Sequence, residues 1–304
     1  MTLSSRFKAV CVFLAVVPLS GCLFRTHRVE QSPTIALKAA TKPDLLNYIN
    51  SQAGKIQSMQ ATVDIDTAVG GAKKGKVTEY QQIRGYVLAR KPAMLRMIGL
   101  LPILRNTAFD MVSDGREFKV SIPPKNRFVV GRNDLVTPNP RQSLENLRPQ
   151  VIYDALLLRE INQDETAVLE NGSETVTLDK NHRYEQPDYV IDVIRASGTD
   201  HYLSRKIVFS RIDLLPNRQL IYDETGTLVT DARYSEYKDY NAVQFPSRIE
   251  IWRPEEEYKI TLTMVKLTMN LTLGNEKFAL QQPPGAQVIR LDQNLSITRG
   301  GGSQ

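Results

Sequence analysis

Short segments of alternating apolar and polar residues, separated by tight turns, occupy most of this chain. In residues 61–66 the alternation is strict, which is typical of a strand with one face on a core and one in water. Similar segments follow at close spacing, and dipeptides such as Asp114-Gly115 and Pro123-Pro124 mark the turns between them. The pattern predicts roughly a dozen antiparallel strands.

Two amphipathic helices interrupt the strands. Thr41 and Asp44 have the spacing of a helix cap, and apolar residues at helical spacing follow between Leu45 and Ile56. Arg148-Pro149 begins the second helix. Because no strand–helix–strand rhythm is present, we expect an α+β fold. Its form would be a strongly curved antiparallel sheet, an open half-barrel, with the helices packed in its concave face. The expected body covers 43–292, and 138–186 has the character of an inserted subdomain.

The amino terminus has the three parts of an export signal. Arg6 and Lys8 precede an apolar run over 9–19, and Leu19-Ser20-Gly21-Cys22 follows. The apolar run is too short to cross a bilayer, which takes about 20 residues. The last four residues resemble the bacterial lipobox, in which the cysteine carries diacylglycerol and an acyl chain such as palmitate. The alternative is an ordinary cleavable signal. The predicted segments are a signal peptide at 1–21 lipidated at Cys22, a tether at 22–42 and a flexible tail at 293–304.

Composition excludes several classes of function. The only cysteines are Cys11 and Cys22, so the body beyond the signal has neither a disulfide nor a catalytic thiol. A net charge of +6 over 304 residues is too mild and too dispersed to indicate a nucleic-acid partner. No second segment is apolar enough to span a membrane, and a monomer is expected.

No catalytic or metal-binding arrangement is recognisable. His27, His182 and His201 have no metal-ligand spacing, and neither a nucleophile–base pair nor a phosphate-binding glycine loop is present. Glu255-Glu256-Glu257 could be a cation site, but we interpret it as a charged turn with all three side chains in water. The sequence therefore predicts a protein that is not an enzyme and has no cofactor and no metal.

The connection at 99–104 is apolar where a turn between strands is normally polar. It contains Leu100, Leu101 and Ile103, together with a glycine and a proline typical of a turn. One interpretation is a loop folded onto the core. The other is an exposed apolar loop that contacts a membrane or an acylated partner.

Three stretches resemble the bacterial lipoprotein-localisation (Lol) carrier and receptor family, and more closely its outer-membrane receptor. Residues 55–63 resemble the family's first helix and strand. Residues 94–111 resemble two strands of the receptor and the loop between them, which carries an exposed leucine. Residues 267–289 resemble the closing strand and the carboxyl end. The resemblance covers both ends of the body, while the excess at about 135–215 has no counterpart in it.

The resemblance implies an apolar cleft between sheet and helix that takes up acyl chains or acylated lipoproteins. The residues we expect to line this cleft are Leu46, Ile49, Ala53, Val63, Ile65, Leu95 and Met97. The alternative for all seven is ordinary core, since core and cleft have the same composition. The residue after the predicted lipidated cysteine is Leu23 and not an aspartate. In this it resembles the lipoproteins that enteric bacteria sort to the outer membrane, and we expect the protein there, facing the periplasm. A second hypothesis is a scaffolding lipoprotein that binds a partner chain through its sheet edges.

Overall fold

The structure is a computed structural model that describes residues 36–133, 148–177 and 183–291. The chain divides into two compact units. The smaller unit contains, among the described residues, 173–177 and 183–186, which are the adjoining ends of two strands. The larger unit contains the described residues of 36–172 and of 187–304. The predicted signal, lipidation site Cys22 and tail at 293–304 lie outside the described residues.

One extended sheet holds all the strands that are described. They are β1 (Ser58–Gly71), β2 (Lys76–Glu79), β3 (Ile83–Arg90), β4 (Met94–Leu100), β5 (Thr107–Ser113), β6 (Glu117–Ile122), β7 (Arg127–Arg132), β8 (Thr166–Thr177), β9 (Arg183–Ser197), β10 (Asp200–Ser210), β11 (Pro216–Tyr222), β12 (Leu228–Tyr240), β13 (Val243–Arg253), β14 (Tyr258–Met269) and β15 (Gln287–Arg290). The 15 strands found in the described ranges exceed the predicted dozen.

The sheet is open, because its two end strands, β15 and β8, do not pair with each other. The order is β15-β7-β6-β5-β4-β3-β1-β14-β13-β12-β11-β10-β9-β8, with β2 paired to β1 beside this path. Pairing is antiparallel from β3 to β7 and from β9 to β14, and β15 runs parallel to β7. A large, open antiparallel sheet with few helices is therefore confirmed.

Alternation in the sequence becomes alternation of burial in β1. Met59, Ala61, Val63 and Ile65 are buried, while the residues between them are more exposed. On the outer face, Asp64 pairs with Arg84 of β3 at 2.9 Å between Oδ1 and Nε. This division into a core face and a wet face is what the strict period of two in 61–66 predicts.

Helix α1 (Lys42–Lys55) begins at the predicted cap. The Thr41 backbone amide donates to Asp44 Oδ2 at 2.8 Å, and the Asp44 amide donates to Thr41 Oγ1. Leu45 and Ile49 of α1 form a hydrophobic cluster with residues of β9 and β10, among them Ile191, Ile207 and Phe209. Helix α1 thus covers the strands late in the order, away from β1.

Helix α2 (Pro149–Leu156) belongs to a second, larger cluster. It contacts β4, β5 and β13. The Tyr153 hydroxyl donates to the Pro92 carbonyl at 2.7 Å, and the Tyr234 hydroxyl of β12 donates to the Ala155 carbonyl at 3.0 Å. The two helices therefore pack into two different hydrophobic clusters, whereas the sequence predicts both in one concave face.

Candidate functional site

An apolar cavity of about 360 Å³ lies among strands β1, β3, β4, β5, β6 and β14. Aliphatic and aromatic side chains form most of its wall, and Tyr80, which is half exposed, stands at its rim. The wall residues are Ile65, Thr67, Ala68, Val69, Tyr80, Gln81, Ile83, Met97, Leu101, Pro102, Ala108, Phe109, Val120, Ile122, Tyr258, Lys259 and Ile260. Its size and composition are those of a small-molecule site, which typically has about 300–1,000 Å³ and mainly apolar walls.

Gly99 of β4 makes room for the aromatic wall of this cavity. A Cβ atom at this position would lie 2.4 Å from the Phe109 ring and 2.8 Å from Ile83 Cδ1. Both distances are shorter than van der Waals contact, so a side chain here would displace the two wall residues. The glycine that the sequence analysis assigned to a turn is therefore a strand residue that permits close packing.

The cavity wall contains almost no charge. Burial raises the pKa of Tyr258 to about 12, so its phenol is neutral at physiological pH. Lys259 is the charged residue of the wall, and its ammonium group is paired with Glu250. An apolar chain could therefore enter without stripping water from an unpaired charge.

Two of the seven predicted cleft residues line the cavity. Ile65 and Met97 belong to its wall, whereas Val63 and Leu95 are buried in the larger cluster outside it. Leu46 and Ile49 pack in the cluster of α1, and Ala53 lies beside another pocket between the two helices. The structure therefore separates the α1 residues from the β1 and β4 residues that the sequence analysis joined in one cleft.

Sequence reasoning missed most of the wall, including Ile83, Phe109, Val120, Ile122 and Ile260. Each occupies an inward position of an alternating strand, and that signal is shared with every core residue. Only the strand order brings β1, β6 and β14 around a common space.

The apolar connection after β4 divides between an inward and an outward part. Leu100 is the last residue of β4 and not part of the loop, contrary to the prediction. Leu101 and Pro102 contribute to the cavity wall. Ile103 and Leu104, in contrast, are 97% and 74% exposed. We call Ile103 and Leu104 the apolar knuckle; it projects beside the cavity, and Leu104 was not among the predicted contact residues.

The acidic turn at 255–257 has a structural role beyond that of a solvent-exposed charged turn. Glu257 is buried and accepts hydrogen bonds from the backbone amides of Lys73 and Lys74, in the turn between β1 and β2. Glu256 pairs with Arg253, and Glu255 remains exposed and pairs with Lys73 at 3.0 Å. The prediction that all three side chains point into water is therefore wrong, since these carboxylates tie two neighbouring turns together.

No cluster of three or more histidine, cysteine, aspartate or glutamate side chains suited to a metal occurs in the described ranges. Within the same part of the chain, no helix is both long and apolar enough to cross a membrane. His27, His182 and Cys22 lie outside it, and His201 is exposed on β10.

Comparison with protein-family models and with curated proteins gives no match. Several solved structures are similar. A LolA superfamily protein from Nitrosomonas europaea has 16% identity and a TM-score of 0.45, over 80% of this chain and 99% of its own. An outer-membrane lipoprotein-sorting domain, so described, from Vibrio parahaemolyticus has 13% identity and a TM-score of 0.48, over 77% and 94%.

A DUF1329 family protein from Desulfovibrio piger has 14% identity and a TM-score of 0.46, over 78% of this chain and 95% of its own. The resemblance to lipoprotein-localisation proteins is confirmed to this extent: solved structures described in those terms are similar to this chain. At these identities and TM-scores, the similarity assigns no ligand or partner to the protein.

Proposed function

We propose that the protein is a non-enzymatic lipoprotein that binds acyl chains, free or attached to a protein, in the apolar cavity. The observation that carries this proposal is the cavity of about 360 Å³, whose wall is apolar and whose charged residue is already paired. Each methylene taken from water into such a space contributes about 0.8 kcal/mol. A chain of eight buried methylenes would therefore gain roughly 6 kcal/mol before the entropy of binding is subtracted.

The apolar knuckle supports the same proposal from outside the cavity. Ile103 and Leu104 are exposed directly after Leu101 and Pro102, which belong to the cavity wall. Exposed aliphatic side chains at a turn are suited to entering a lipid surface or contacting an acyl group. A chain released at the knuckle would have the cavity wall as its nearest apolar surface.

The placement of α2 supports a curved sheet around the binding region. Helix α2 contacts β4 and β5 as well as β13, and its Ala155 carbonyl accepts from Tyr234 of β12. A helix that touches strands so far apart in the sheet order fits a concave face that holds it. We therefore retain the half-barrel as the proposed architecture, with α2 inside it.

The location is proposed from the sequence alone. Lipidation at Cys22 would anchor the protein, and Leu23 at the next position favours the outer membrane and its periplasmic face. Replacing Cys22 with serine should abolish labelling by a fatty-acid probe in cells. Equal labelling of the variant and the original protein would contradict lipidation at this residue.

The binding proposal is tested by titrating the protein with a fluorescent fatty-acid probe. Ala108 lines the cavity, so Ala108→Phe should fill part of it and weaken binding at least tenfold. Ala196, exposed on β9, supplies the control, and Ala196→Phe should bind as the original does. Absence of saturable binding, or equal affinity in both variants, would refute the proposal.

A scaffolding function is the second candidate, and the two sheet ends favour it. Val288 on β15 and Val168 on β8 are exposed apolar residues of the end strands. Such strands can pair with an extended segment of another protein. A partner whose binding is unchanged by Ala108→Phe but lost on Val288→Pro would favour this function, because proline cannot extend a strand ladder.

A further inference from the structure

A further pocket, of about 150 Å³, lies where the segment after α2 meets β9, β10 and β11. Its walls are polar, and they share no residue with the apolar cavity. Arg159, Arg195 and Arg205 all line it, so we call it the arginine pocket. The space is several times the ~15 Å³ that one water molecule needs, so it can accommodate a small polyatomic ligand.

Glu165 is the carboxylate around which the three arginines gather. Its Oε1 lies 2.6 Å from Arg159 Nη2 and 2.8 Å from Arg195 Nε, and its Oε2 lies 3.6 Å from Arg205 Nη2. Each guanidinium has five N–H donors, so one carboxylate leaves most of them unused. The side chains of Arg159 and Arg195 remain 40% and 39% exposed, and their remaining donors are accessible from the solvent.

Arg205 forms the buried side of the pocket. Its side chain is 4% exposed and donates to the carbonyls of Arg159 and Glu160 at 2.8 and 2.9 Å. Its Nε has no hydrogen-bond partner in the part of the chain that the structure describes. A buried guanidinium with an unmatched donor is unfavourable unless something binds to it.

Gln219 adds an unmatched acceptor to the same pocket. Its Nε2 donates to the Asp154 carbonyl at 3.1 Å, while its buried Oε1 finds no partner among the described residues. The pocket therefore combines a cationic surface with hydrogen-bond acceptors, because the Asp154 carboxylate lines it as well. An anion that also carries a hydroxyl group would satisfy both kinds of atom.

The balance of charge in the pocket also favours an anion. Burial raises the pKa of Asp154 to about 6. Burial lowers the pKa of Arg205 to about 10, so that residue stays protonated at neutral pH. Three cations therefore face at most two carboxylates, those of Asp154 and Glu165. A purely structural ion-pair network would explain Glu165, but neither the surplus donors nor the unmatched acceptor.

We propose that the arginine pocket binds a phosphate group that carries or adjoins a hydroxyl. Guanidinium groups hold phosphate oxygens through paired N–H donors, and the acceptors among the lining residues, Asp154 and Gln219, would accept from the hydroxyl. Inorganic hydrogen phosphate and a glycerol phosphate head group share this chemistry. The site is separate from the apolar cavity and does not depend on acyl-chain binding there.

Calorimetric titration of the full-length protein in detergent tests the proposal. Inorganic phosphate and glycerol 3-phosphate are the two probes, each at matched ionic strength in chloride. We expect saturable binding of at least one, weakened tenfold or more by Arg195→Gln and by Arg159→Gln. The control is Arg248→Gln, since Arg248 is a similarly exposed strand arginine that pairs with Glu250; it should bind within twofold of the original protein.

The ratio of the two affinities identifies the source of the phosphate group that the pocket binds. Tighter binding of glycerol 3-phosphate than of inorganic phosphate indicates a lipid head group. If the variants unfold, the original protein still decides the question through chemical modification. Phosphate should slow the reaction of Arg159 and Arg195 with phenylglyoxal, leaving that of Arg248 unchanged. No saturable binding of either probe, equal binding by Arg195→Gln, or no protection would overturn the proposal.

Discussion

The apolar cavity and the arginine pocket occupy different strands of one sheet and have opposite compositions. The cavity is surrounded by aliphatic side chains of β1, β4 and β6, whereas the pocket is formed by arginines of β9 and β10 and the segment after α2. Arg205 lies on the same face of β10 as Ile207 and Phe209, which pack against α1. Strand alternation therefore determines which face is inward, and the side chain at each inward position determines what that face binds.

Loss of Glu165 should give the largest change in stability. Glu165→Gln would leave Arg205 buried beside two other cations without their shared carboxylate, and breaking a buried ion pair costs about 3–5 kcal/mol. Denaturant unfolding followed by circular dichroism measures it. Glu250, which is partly exposed and pairs with Arg248 and Lys259, is the control; Glu250→Gln should cost less than about 1 kcal/mol. Equal losses would show that the arginine pocket is no more tightly coupled than a surface pair.

Two buried isoleucines compare the wall of the apolar cavity with the closed cluster of α1. Ile49 packs in the cluster of α1, while Ile65 borders the cavity, and both are almost completely buried. Truncation to alanine costs about 2–5 kcal/mol, depending on how well the site can adjust. We expect Ile49→Ala near the upper end and Ile65→Ala near the lower, since Ile65 already faces open space.

The same isoleucine variants separate binding from stability. Ile65→Ala should change the affinity for a fluorescent fatty-acid probe, and Ile49→Ala should leave it unaltered. Altered affinity in Ile49→Ala alone would transfer the binding site to the cluster of α1.

The two halves of the apolar connection should respond differently to charge. Leu100→Glu with Leu101→Glu places carboxylates in a strand and a cavity wall and should cost at least about 2 kcal/mol. Ile103→Glu with Leu104→Glu alters exposed side chains and should shift the free energy of unfolding by about 0.5 kcal/mol or less. Denaturant titration of both double variants makes the comparison.

Vesicle flotation compares the membrane association of the same two double variants. Both also carry Cys22→Ser, so that no lipid anchor contributes to the association. Only the variant of the apolar knuckle, Ile103→Glu with Leu104→Glu, should lose vesicle association while retaining its stability. A large fall in its unfolding midpoint would place the knuckle in the core.

Asp154 provides a smaller, pH-dependent effect on the polar side. Its pKa is raised from 3.8 to about 6 by burial, so the folded protein holds this proton more tightly than the unfolded chain does. Stability is therefore lost as the pH rises from about 4 to 6, and Asp154→Asn should recover it. The gain should be about 1–3 kcal/mol at pH 7 and vanish below pH 4. A gain that is the same at both pH values would contradict the assigned shift.

The sheet was predictable from the sequence because strand alternation is a local property. The strict period in 61–66 and the cap formed by Thr41 and Asp44 both reappear in the structure. The partner of α1 was not predictable, since its apolar face would suit any sheet; it covers β9 and β10, not β1. The order of distant strands in the sheet is what brings Ile260 and Ile122 into the wall of one cavity, and no local pattern encodes it.

One signal of the arginine pocket is present in the sequence. Arg205 stands at an inward position of an apolar strand, where a charge requires a partner. Its partner Glu165 lies within 138–186, the stretch that the sequence predicts to be an inserted subdomain. Within that stretch, α2 belongs to the larger hydrophobic cluster and β8 to the sheet.

The most direct measurement maps where an acyl chain binds. A fatty acid with a photoreactive diazirine is bound to the full-length protein, irradiated, and the modified peptides are identified by mass spectrometry. Binding in the apolar cavity predicts adducts on peptides from β5, β6 and β14, with Phe109, Ile122 and Tyr258 among the sites, and their loss in Ala108→Phe. Adducts confined to α1, β9 and β10, or none above background, would contradict the proposed function.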